Sequence, residues 1–267
     1  MAKKITKEVH AFIAGESYKI LEELSNQAGK KKGKIIEELL RKQKMSASDI
    51  YPVSFKGINI SIRRVSTGIK DLDDFLDGGI PSNFLVVVTG DPGTGKTLLG
   101  CHFLASTKEK ALLFVFQENF AQLAKHCHQI GIDLAKLEEK GLLYAYDMKS
   151  VCVEAIVEEI VAKKPKRVVI DSVASLHNKD DKLTAWYYLV SELKKQNIAC
   201  LMIMRGNESG NSCIFENRSD GVIHIEKELD DSGKWKRNFL IKKMRATCLD
   251  TVKIGFSITS NGIVVKK

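Results

Sequence analysis

The chain has 267 residues, 44% of them hydrophobic and 7% aromatic, which allows one substantial core and a small second module. No apolar run approaches the roughly 20 residues of a bilayer-spanning helix, and no apolar stretch follows the N-terminal lysines, so we expect neither a membrane span nor a secretory signal peptide. The formal net charge of +9 favours a polyanionic partner such as nucleic acid, although the same charge also serves ordinary solubility.

The six cysteines are scattered without CxxC spacing, and several lie inside apolar runs where a thiol behaves as a small hydrophobe. This usage predicts a cytoplasmic protein without structural disulfides.

The run His126-Cys127-His128 contains residue types that bind zinc. Adjacent residues of a helix point in different directions, however, and no second cluster accompanies these three, so the sequence does not favour zinc.

Residues 1–45 have the pattern of a small separate module. Residues 5–13 are extended in character, and a helix is predicted from Ala14 to Ala28, where apolar residues recur at helical spacing until Gly29 ends it. A second helix is predicted over residues 34–44. This order of strand, helix, turn and helix resembles a ribbon-helix-helix unit, a class of DNA-binding dimers that place a two-stranded ribbon in the major groove.

The charge of this module leaves its role open. Residues 1–44 hold eleven lysine and arginine residues against six glutamates, so +5 of the net charge lies in this segment. A ribbon would present Glu8, His10 and Phe12 outward, and neither a glutamate nor a phenylalanine suits phosphates and polar base edges. The alternative to DNA binding is a dimerisation or docking domain with a solvated lysine-rich turn.

Residues 46–63 mix Ser, Pro and Gly without a helical period, which predicts a linker before a main domain over residues 64–267. Strands that are apolar on both faces then alternate with helices, which predicts an α/β fold with a mostly parallel sheet covered on both sides. The predicted strands are 84–88, 111–116, 142–147, 167–171 and 199–204, with helices from 95, near 120–129, over 153–164 and over 183–196. Four further segments after residue 220 predict C-terminal antiparallel strands joined by turns.

A glycine-rich loop follows the first of these strands and opens a helix, which is the context that a Walker A loop requires. Glycines let backbone N–H groups turn toward phosphates, and the helix N-terminus adds its positive end. Lys96 would reach the β and γ oxygens, and the Thr97 hydroxyl would ligate Mg²⁺. The sequence therefore predicts ATP and Mg²⁺ as cofactors, bound by Gly90, Asp91, Pro92, Gly93, Thr94, Gly95, Lys96, Thr97 and Leu98.

A second metal-site residue is predicted at the end of another buried strand. Arg167-Val168-Val169-Ile170 leads into Asp171, in the place of a Walker B carboxylate. The alternative role of Asp171 is to cap a following helix, although Ser172 would cap equally well.

Two further segments carry a family resemblance. STGIKDLDDFLDGGIP over residues 66–81 resembles the lead-in of KaiC-like and RecA/RadA-like ATPases, and so do Lys243-Met244-Arg245-Ala246-Thr247 and the later Gly262-Ile263-Val264-Val265. The paired lead-in and KMR tail are typical of the KaiC branch. The resemblance implies a RecA-type P-loop core in a homo-oligomeric ring, commonly a hexamer, with ATP between subunits. It also implies that Lys243 and Arg245 reach the γ-phosphate of the neighbouring subunit; their alternative role is a solvated strand face.

One departure from the KaiC pattern bears on catalysis. Where that pattern carries two consecutive glutamates, the first being the expected base for the attacking water, this chain has Gln117-Glu118. Glutamine orients a water but cannot take its proton. Hydrolysis is therefore slow, depends on Glu118, or is absent, in which case ATP binding only drives assembly or switching.

Three functions follow from these observations: an ATPase ring that regulates or remodels a partner such as DNA, a non-hydrolytic ATP-dependent switch, and a DNA-binding recombinase paralogue. The third requires the loop over residues 205–218 to contact DNA, and its basic residues are only Arg205 and Arg218. Trp235 lies between lysines and would stack on a base, but alternation on a surface hairpin explains it equally well.

Overall fold

The computed structural model describes residues 15–35, 61–149, 153–172, 182–204, 211–248 and 253–266. The chain forms two compact units, residues 1–60 and residues 61–267. Among the described residues, no helix is both long and apolar enough to cross a bilayer.

The described part of the first unit contains helix α1, Gly15–Ala28, in agreement with the predicted helix. The chain turns after α1 through a hydrogen bond from the Lys30 N–H to the Ser25 carbonyl, 3.2 Å, and an ion pair of 2.7 Å joins Lys32 to Glu22. The predicted strand over 5–13 and most of the predicted helix over 34–44 lie outside the described residues. The ribbon-helix-helix module therefore stays a prediction.

The second unit alternates strands and helices. Its strands are β1 (Arg64–Val65), β2 (Ile80–Pro81), β3 (Leu85–Gly90), β4 (Ala111–Val115), β5 (Leu143–Asp147), β6 (Arg167–Asp171), β7 (Ala199–Ile203), β8 (Gly221–Leu229), β9 (Trp235–Met244), β10 (Lys253–Thr259) and β11 (Gly262–Val265). Its helices are α2 (Lys70–Phe75), α3 (Lys96–Ala105), α4 (Phe120–Gln129), α5 (Leu134–Glu139), α6 (Val153–Lys163), α7 (Lys182–Lys195) and α8 (Asn211–Arg218).

Nine of the described strands form one sheet, in the order β11-β10-β9-β8-β3-β7-β6-β4-β5. The pairs among β8, β3, β7, β6, β4 and β5 are parallel, and β9, β10 and β11 continue the sheet with antiparallel pairs. This arrangement confirms the predicted α/β fold with a mostly parallel sheet and C-terminal antiparallel strands. The sequence places β8 among the antiparallel strands, and it pairs antiparallel with β9; it also pairs parallel to β3 and so joins the two parts of the sheet.

Both faces of the central parallel strands β3, β4 and β7 are buried. Successive side chains of a strand point to opposite faces, so each of these strands contributes to two apolar clusters. Val86 and Val88 of β3 belong to one apolar cluster with α3 and the C-terminal strands. Leu85 and Val87 belong to a second cluster with α6 and α7. Strands covered on both sides need apolar residues at every position, which explains the unbroken apolar runs in the sequence.

The lead-in segment packs against the chain's C-terminal part. Gly79 has φ +119°, and a Cβ there would lie 2.3 Å from the Val65 carbonyl, so only glycine fits. The Arg64 guanidinium donates to the Leu76 and Gly79 carbonyls, 2.9 and 3.0 Å, and to the Thr247 hydroxyl, 3.0 Å. These contacts bring together the two segments that carry the family resemblance.

Three of the helices were not predicted. α2 and α5 have six residues each, too few to show a helical period in the sequence. α8 occupies part of the segment interpreted as a loop, and its polar sequence NSCIFENR has little apolar periodicity. Residues 205–210 of that segment lie outside the described residues.

Candidate nucleotide-binding site

The glycine-rich loop lies at the carboxyl edge of the parallel strands, between β3 and α3. Gly90 ends β3 with φ +146°, and a Cβ at this position would lie 2.2 Å from the Ile225 carbonyl. Only glycine therefore lets the chain leave the sheet here and turn into the loop. α3 starts at Lys96, directly after the loop, so the backbone N–H groups of its first turn face the loop.

Lys96 folds back onto the loop. Its ammonium donates to the Gly90 carbonyl at 2.7 Å and to the Asp91 carbonyl at 2.8 Å, and the residue is only 9% exposed. The Thr94 hydroxyl also donates to the Asp91 carbonyl, at 2.9 Å. The loop thus holds a buried cation inside a turn of backbone, an arrangement that attracts a phosphate group.

Asp171 and Thr97 come together across the carboxyl edge of the sheet. The Thr97 hydroxyl donates to Asp171 Oδ2 at 2.5 Å. Burial raises the pKa of the Asp171 carboxyl, and the Thr97 hydrogen bond and the Lys96 charge partly oppose that rise. A hydroxyl and a carboxylate are oxygen ligands of the kind that Mg²⁺ prefers. The alternative role of Asp171 as a helix cap concerns residues 173–181, which lie outside the described residues.

Gln117 and Glu118 take different positions after β4. Gln117 Nε2 donates to the Ser172 hydroxyl at 3.4 Å, which places Gln117 beside the end of β6. His126 Nδ1 lies 2.9 Å from Glu118 Oε1, an ion-pair distance, and the charge of Glu118 contributes to the raised pKa of Asp171. Glu118, one of the alternatives for the base, therefore lies near enough to the predicted metal ligand for their charges to interact.

A cleft of about 300 Å³ opens beside the loop. Polar groups of the loop and α3 lie on one side, and apolar side chains of α3, α4 and β10 form the other. Leu98, a predicted nucleotide-binding residue, belongs to this apolar side. The lining residues are Gly93, Gly95, Lys96, Thr97, Leu98, Glu118, Leu123, His126, Cys127, Ile130 and Ile258.

These residues fit ATP and Mg²⁺. The glycine turn and the Lys96 ammonium suit the phosphates, and the Thr97–Asp171 pair supplies two oxygen ligands for a cation. The apolar side of the cleft suits the flat face of a base, and the cleft volume lies at the lower end of the range for small-ligand sites. When bound, the nucleotide would supply the γ-phosphoryl group and Mg²⁺ would neutralise its oxygens.

Lys243 and Arg245 do not belong to this cleft. Met244 pairs with Gly221 and Gly221 with Val86, at the beginning of β3, whereas the loop follows Gly90 at the other end of that strand. Four residues of strand span about 13 Å. Lys243 and Arg245 therefore lie near the edge of the sheet opposite the chain's own phosphate loop.

Both side chains have partners at that edge. Lys243 Nζ donates to the carbonyls of Glu216 at 3.3 Å, Asn217 at 3.1 Å and Ser219, so it satisfies carbonyls at the C-terminal end of α8. Arg245 Nη1 donates to Asp220 Oδ1 at 3.1 Å. Lys243 is half-buried and has structural contacts, which neither the predicted trans contact nor the alternative of a solvated strand face includes.

Sequence reasoning missed Asp220. Its carboxylate is 3% exposed and also accepts from Lys194 Nζ at 3.2 Å and from the Leu85 N–H at 3.3 Å. It orients Arg245 through the contact already described. A single aspartate between a polar helix and a strand carries no sequence signal, because only the fold brings its three partners together.

The remaining sequence candidates take separate positions. In His126-Cys127-His128, Cys127 is buried and the two histidines are exposed, and the described residues contain no group of three or more side chains able to hold a metal ion.

Trp235 is 56% exposed, and Lys227 Nζ lies 4.1 Å from its ring centroid. Lys227 covers one face of the indole, as in a surface hairpin.

Comparison with known proteins agrees with this geometry. A family model described as "ATPase: KaiC" matches residues 65–267. A UPF0273 protein of Methanocaldococcus jannaschii is 28% identical to this chain, and the match covers 76% of this chain and 96% of that protein. The circadian clock oscillator protein KaiC of Prochlorococcus marinus is 37% identical, and the match covers 76% of this chain and 43% of KaiC. A solved structure of a KaiC-like protein from Pyrococcus horikoshii, 27% identical, superposes with a TM-score of 0.69 over 78% of this chain and all of that one. Over most of its length, this chain belongs to the KaiC family of ATPases.

Proposed function

We propose that this chain is a Mg²⁺-dependent ATPase that works as a ring-shaped homo-oligomer, with a hexamer favoured, and that its nucleotide state regulates a partner. The observation that carries the ATPase proposal is the Thr97–Asp171 hydrogen bond, 2.5 Å, next to the Lys96 ammonium within the glycine loop. Two oxygen ligands and one buried cation at a helix N-terminus are the parts that phosphoryl transfer requires.

The residues around the loop divide into three binding roles in this proposal. Lys96 exchanges its contacts with the Gly90 and Asp91 carbonyls for phosphate oxygens, since an ionised phosphate is the stronger acceptor. Thr97 and Asp171 hold the cation. Leu98, Leu123 and Ile258 cover the base, and such apolar contacts select the shape of a base more than its polar edge.

Glu118 is the proposed base for the attacking water. A carboxylate accepts a proton, whereas Gln117 supplies only an amide that orients the water. Gln117 is held beside Asp171 by its hydrogen bond to Ser172. We therefore expect turnover to be slow compared with a chain that carries glutamate at position 117.

Lys243 and Arg245 are proposed to act on the nucleotide of a neighbouring subunit. Their position near the sheet edge opposite the loop supports this role, because a head-to-tail ring brings opposite surfaces of adjacent subunits together. Arg245 is held by Asp220 through one guanidinium nitrogen and is 57% exposed. It would stabilise charge that develops on the γ-phosphoryl oxygens.

A second candidate function is a non-hydrolytic switch in which ATP binding only orders the ring. The specific observation in its favour is Gln117, which occupies the position of the expected base and contacts Ser172. Under this function, ATP changes the oligomer size and is not consumed.

Nucleic acid is the proposed partner class. The +5 charge of residues 1–44 supports it, because phosphates attract clustered lysines. A recombinase-like role would need ATP-dependent binding of single-stranded DNA, which a filter-binding assay with and without ATP tests directly. Equal retention of DNA in both conditions removes the recombinase role.

The first experiment is ATP turnover by the purified protein with Mg²⁺, with Lys96→Ala as the blank and Gln117→Glu as the comparison. An ATPase turns over well above the blank, and Gln117→Glu raises kcat by about 100-fold, the lower end of general-base contributions. Turnover only in Gln117→Glu identifies the natural chain as the switch. No turnover in either chain, with intact assembly, contradicts the ATPase proposal.

A further inference from the structure

An ion-pair contact joins the proposed base to a histidine of the same cleft. His126 Nδ1 lies 2.9 Å from Glu118 Oε1, and both residues line the cleft together with Lys96 and Thr97. An imidazole N–H is a strong donor to an ionised carboxylate. The pair lies where the nucleotide binds under the proposed function, on which this inference rests.

The structure fixes the start of helix α4, which carries His126, relative to Glu118. Asn119, the residue after Glu118, caps α4 by accepting from the Gln122 N–H at 2.8 Å, and Asp147 accepts from the Phe120 N–H at 2.7 Å. Helix α4 therefore begins directly after Glu118, with its first turn held at both the cap and the first N–H.

The packing of α4 orients the helix face that carries His126, whose side chain is 67% exposed. Leu123, His126, Cys127 and Ile130 follow the spacing of one helical face, and all four line the cleft. Leu123 and Cys127 are buried, at 4% and 2% exposure, so this face cannot rotate away from the cleft. His128, two residues along, is exposed on another face.

We propose that His126 is a positioning residue for Glu118. The Glu118 side chain is 34% exposed, and a glutamate that partly faces solvent has several accessible rotamers. The contact with His126 selects the rotamer in which the carboxylate stays in the cleft near Asp171. In that position the carboxylate is ready to accept a proton from water, with no covalent or redox change in the imidazole.

Three variants test this role by steady-state ATP turnover. His126→Ala removes the donor and keeps a good helix former, so we expect kcat to fall about tenfold with KM changed less than twofold. His126→Asn keeps an N–H donor near the position of Nδ1, and we expect kcat to return to within about threefold of the natural chain. His128→Ala is the matched control and behaves as the natural chain does.

Two results overturn the inference. A kcat unchanged in His126→Ala shows that the contact does not position the base. A KM that rises while kcat holds shows that His126 touches the nucleotide instead of acting through Glu118. Binding of a fluorescent ATP analogue to each variant separates these cases.

If the natural chain shows no turnover, the ATPase proposal fails. The contact between His126 and Glu118 is then tested independently by ¹⁵N NMR. The Nδ1 resonance of His126 moves in Glu118→Ala when the two side chains are in contact, and His128 provides the internal reference. An Nδ1 resonance that stays in place rejects the contact itself.

Discussion

At the scale of single residues, the buried carboxylate of Asp171 combines a functional role with a cost to stability. Its pKa is raised mainly by burial, which means that the ionised form is less favourable in the fold than in water. The Thr97 hydroxyl, at 2.5 Å, and the nearby Lys96 charge offset only part of that penalty. A bound cation would offset the rest of this desolvation penalty. The same buried charge therefore lowers the stability of the protein without the cation and raises its affinity for the cation.

Asp171→Asn should therefore stabilise the protein while it disables the site. The amide still accepts from Thr97 but carries no charge to desolvate, so we expect the unfolding free energy without nucleotide to rise by about 1 kcal/mol. For a domain of this size, that corresponds to a Tm increase of about 2–4 °C in calorimetry. Stabilisation by ATP with Mg²⁺ should be lost in the same variant. Asp74→Asn, at an exposed position, is the control, and a lower Tm in Asp171→Asn would contradict this account.

At the scale of secondary structure elements, helix α3 connects the phosphate loop to the last strand. His102 of α3 accepts from the Ile263 N–H of β11 through Nε2, at 2.8 Å. Gly262 beside it approaches the ring so closely that a Cβ would lie 2.3 Å from Nε2. The same C-terminal turn of α3 is also held by the buried Arg167, which donates to the Ser66 carbonyl at 2.7 Å and to the Phe103 carbonyl.

The contact between α3 and β11 predicts a pH dependence of stability. Burial lowers the pKa of His102, and Nε2 accepts a hydrogen bond only while it carries no proton. The unfolded state therefore binds more protons than the fold, and stability rises with pH. His102 contributes stability that is complete above its ordinary pKa of about 6.5 and is lost as pH falls through its lower folded value.

Urea unfolding between about pH 5 and pH 8 measures this effect. The unfolding free energy should decrease toward pH 5, and His102→Gln, which offers an amide oxygen near the position of Nε2, should show a smaller decrease. Some dependence should persist, because burial and Lys242 also lower the pKa of His224. An identical slope in the natural chain and in His102→Gln would show that His102 does not couple protonation to folding.

At the scale of the whole molecule, the nine-stranded sheet separates two sets of functional side chains. The phosphate loop, Asp171 and Glu118 lie at the carboxyl edge of the parallel strands, and Arg245 lies near the opposite edge. One subunit therefore cannot complete the proposed catalytic set by itself. If the proposed ring forms, each active site is shared between neighbours.

Mixing two inactive variants tests this sharing. Lys96→Ala lacks a working loop but keeps Arg245, and Arg245→Ala lacks the arginine but keeps its loop. In randomly mixed rings, roughly a quarter of the sites combine an intact loop with an intact neighbouring arginine, so turnover should recover to about that fraction of the natural rate. Arg245→Ala is preferred over a Lys243 variant, because Lys243 also holds the end of α8.

The control mixes Arg245→Ala with a chain that carries both substitutions, and this mixture should regain no activity. Turnover that stays at the level of the separate variants in the first mixture would show that Arg245 does not act between subunits. Exchange of subunits is verified first, by energy transfer between labelled chains.

Local patterns sufficed to predict much of this protein. The glycine loop, the strand that ends at Asp171 and the helix that starts at Lys96 are read from residues adjacent in the chain, because backbone turns and buried parallel strands restrict which residues fit. The alternation of apolar strands and helices predicted the α/β sheet for the same reason. The short α2 and α5 escaped prediction, because six residues hardly exceed one helical period.

Only the tertiary structure decided which distant residues meet. No local pattern indicates that Glu118 contacts His126, that Asp220 contacts Arg245, or that Arg64 contacts Thr247, 183 residues away. Sheet order decided that Lys243 and Arg245 lie far from their own loop, because β8 pairs with β3 on one side and β9 on the other. Local patterns depend on the conformation of a few successive residues, whereas these contacts depend on strand order and register, which follow from the packing of the whole sheet.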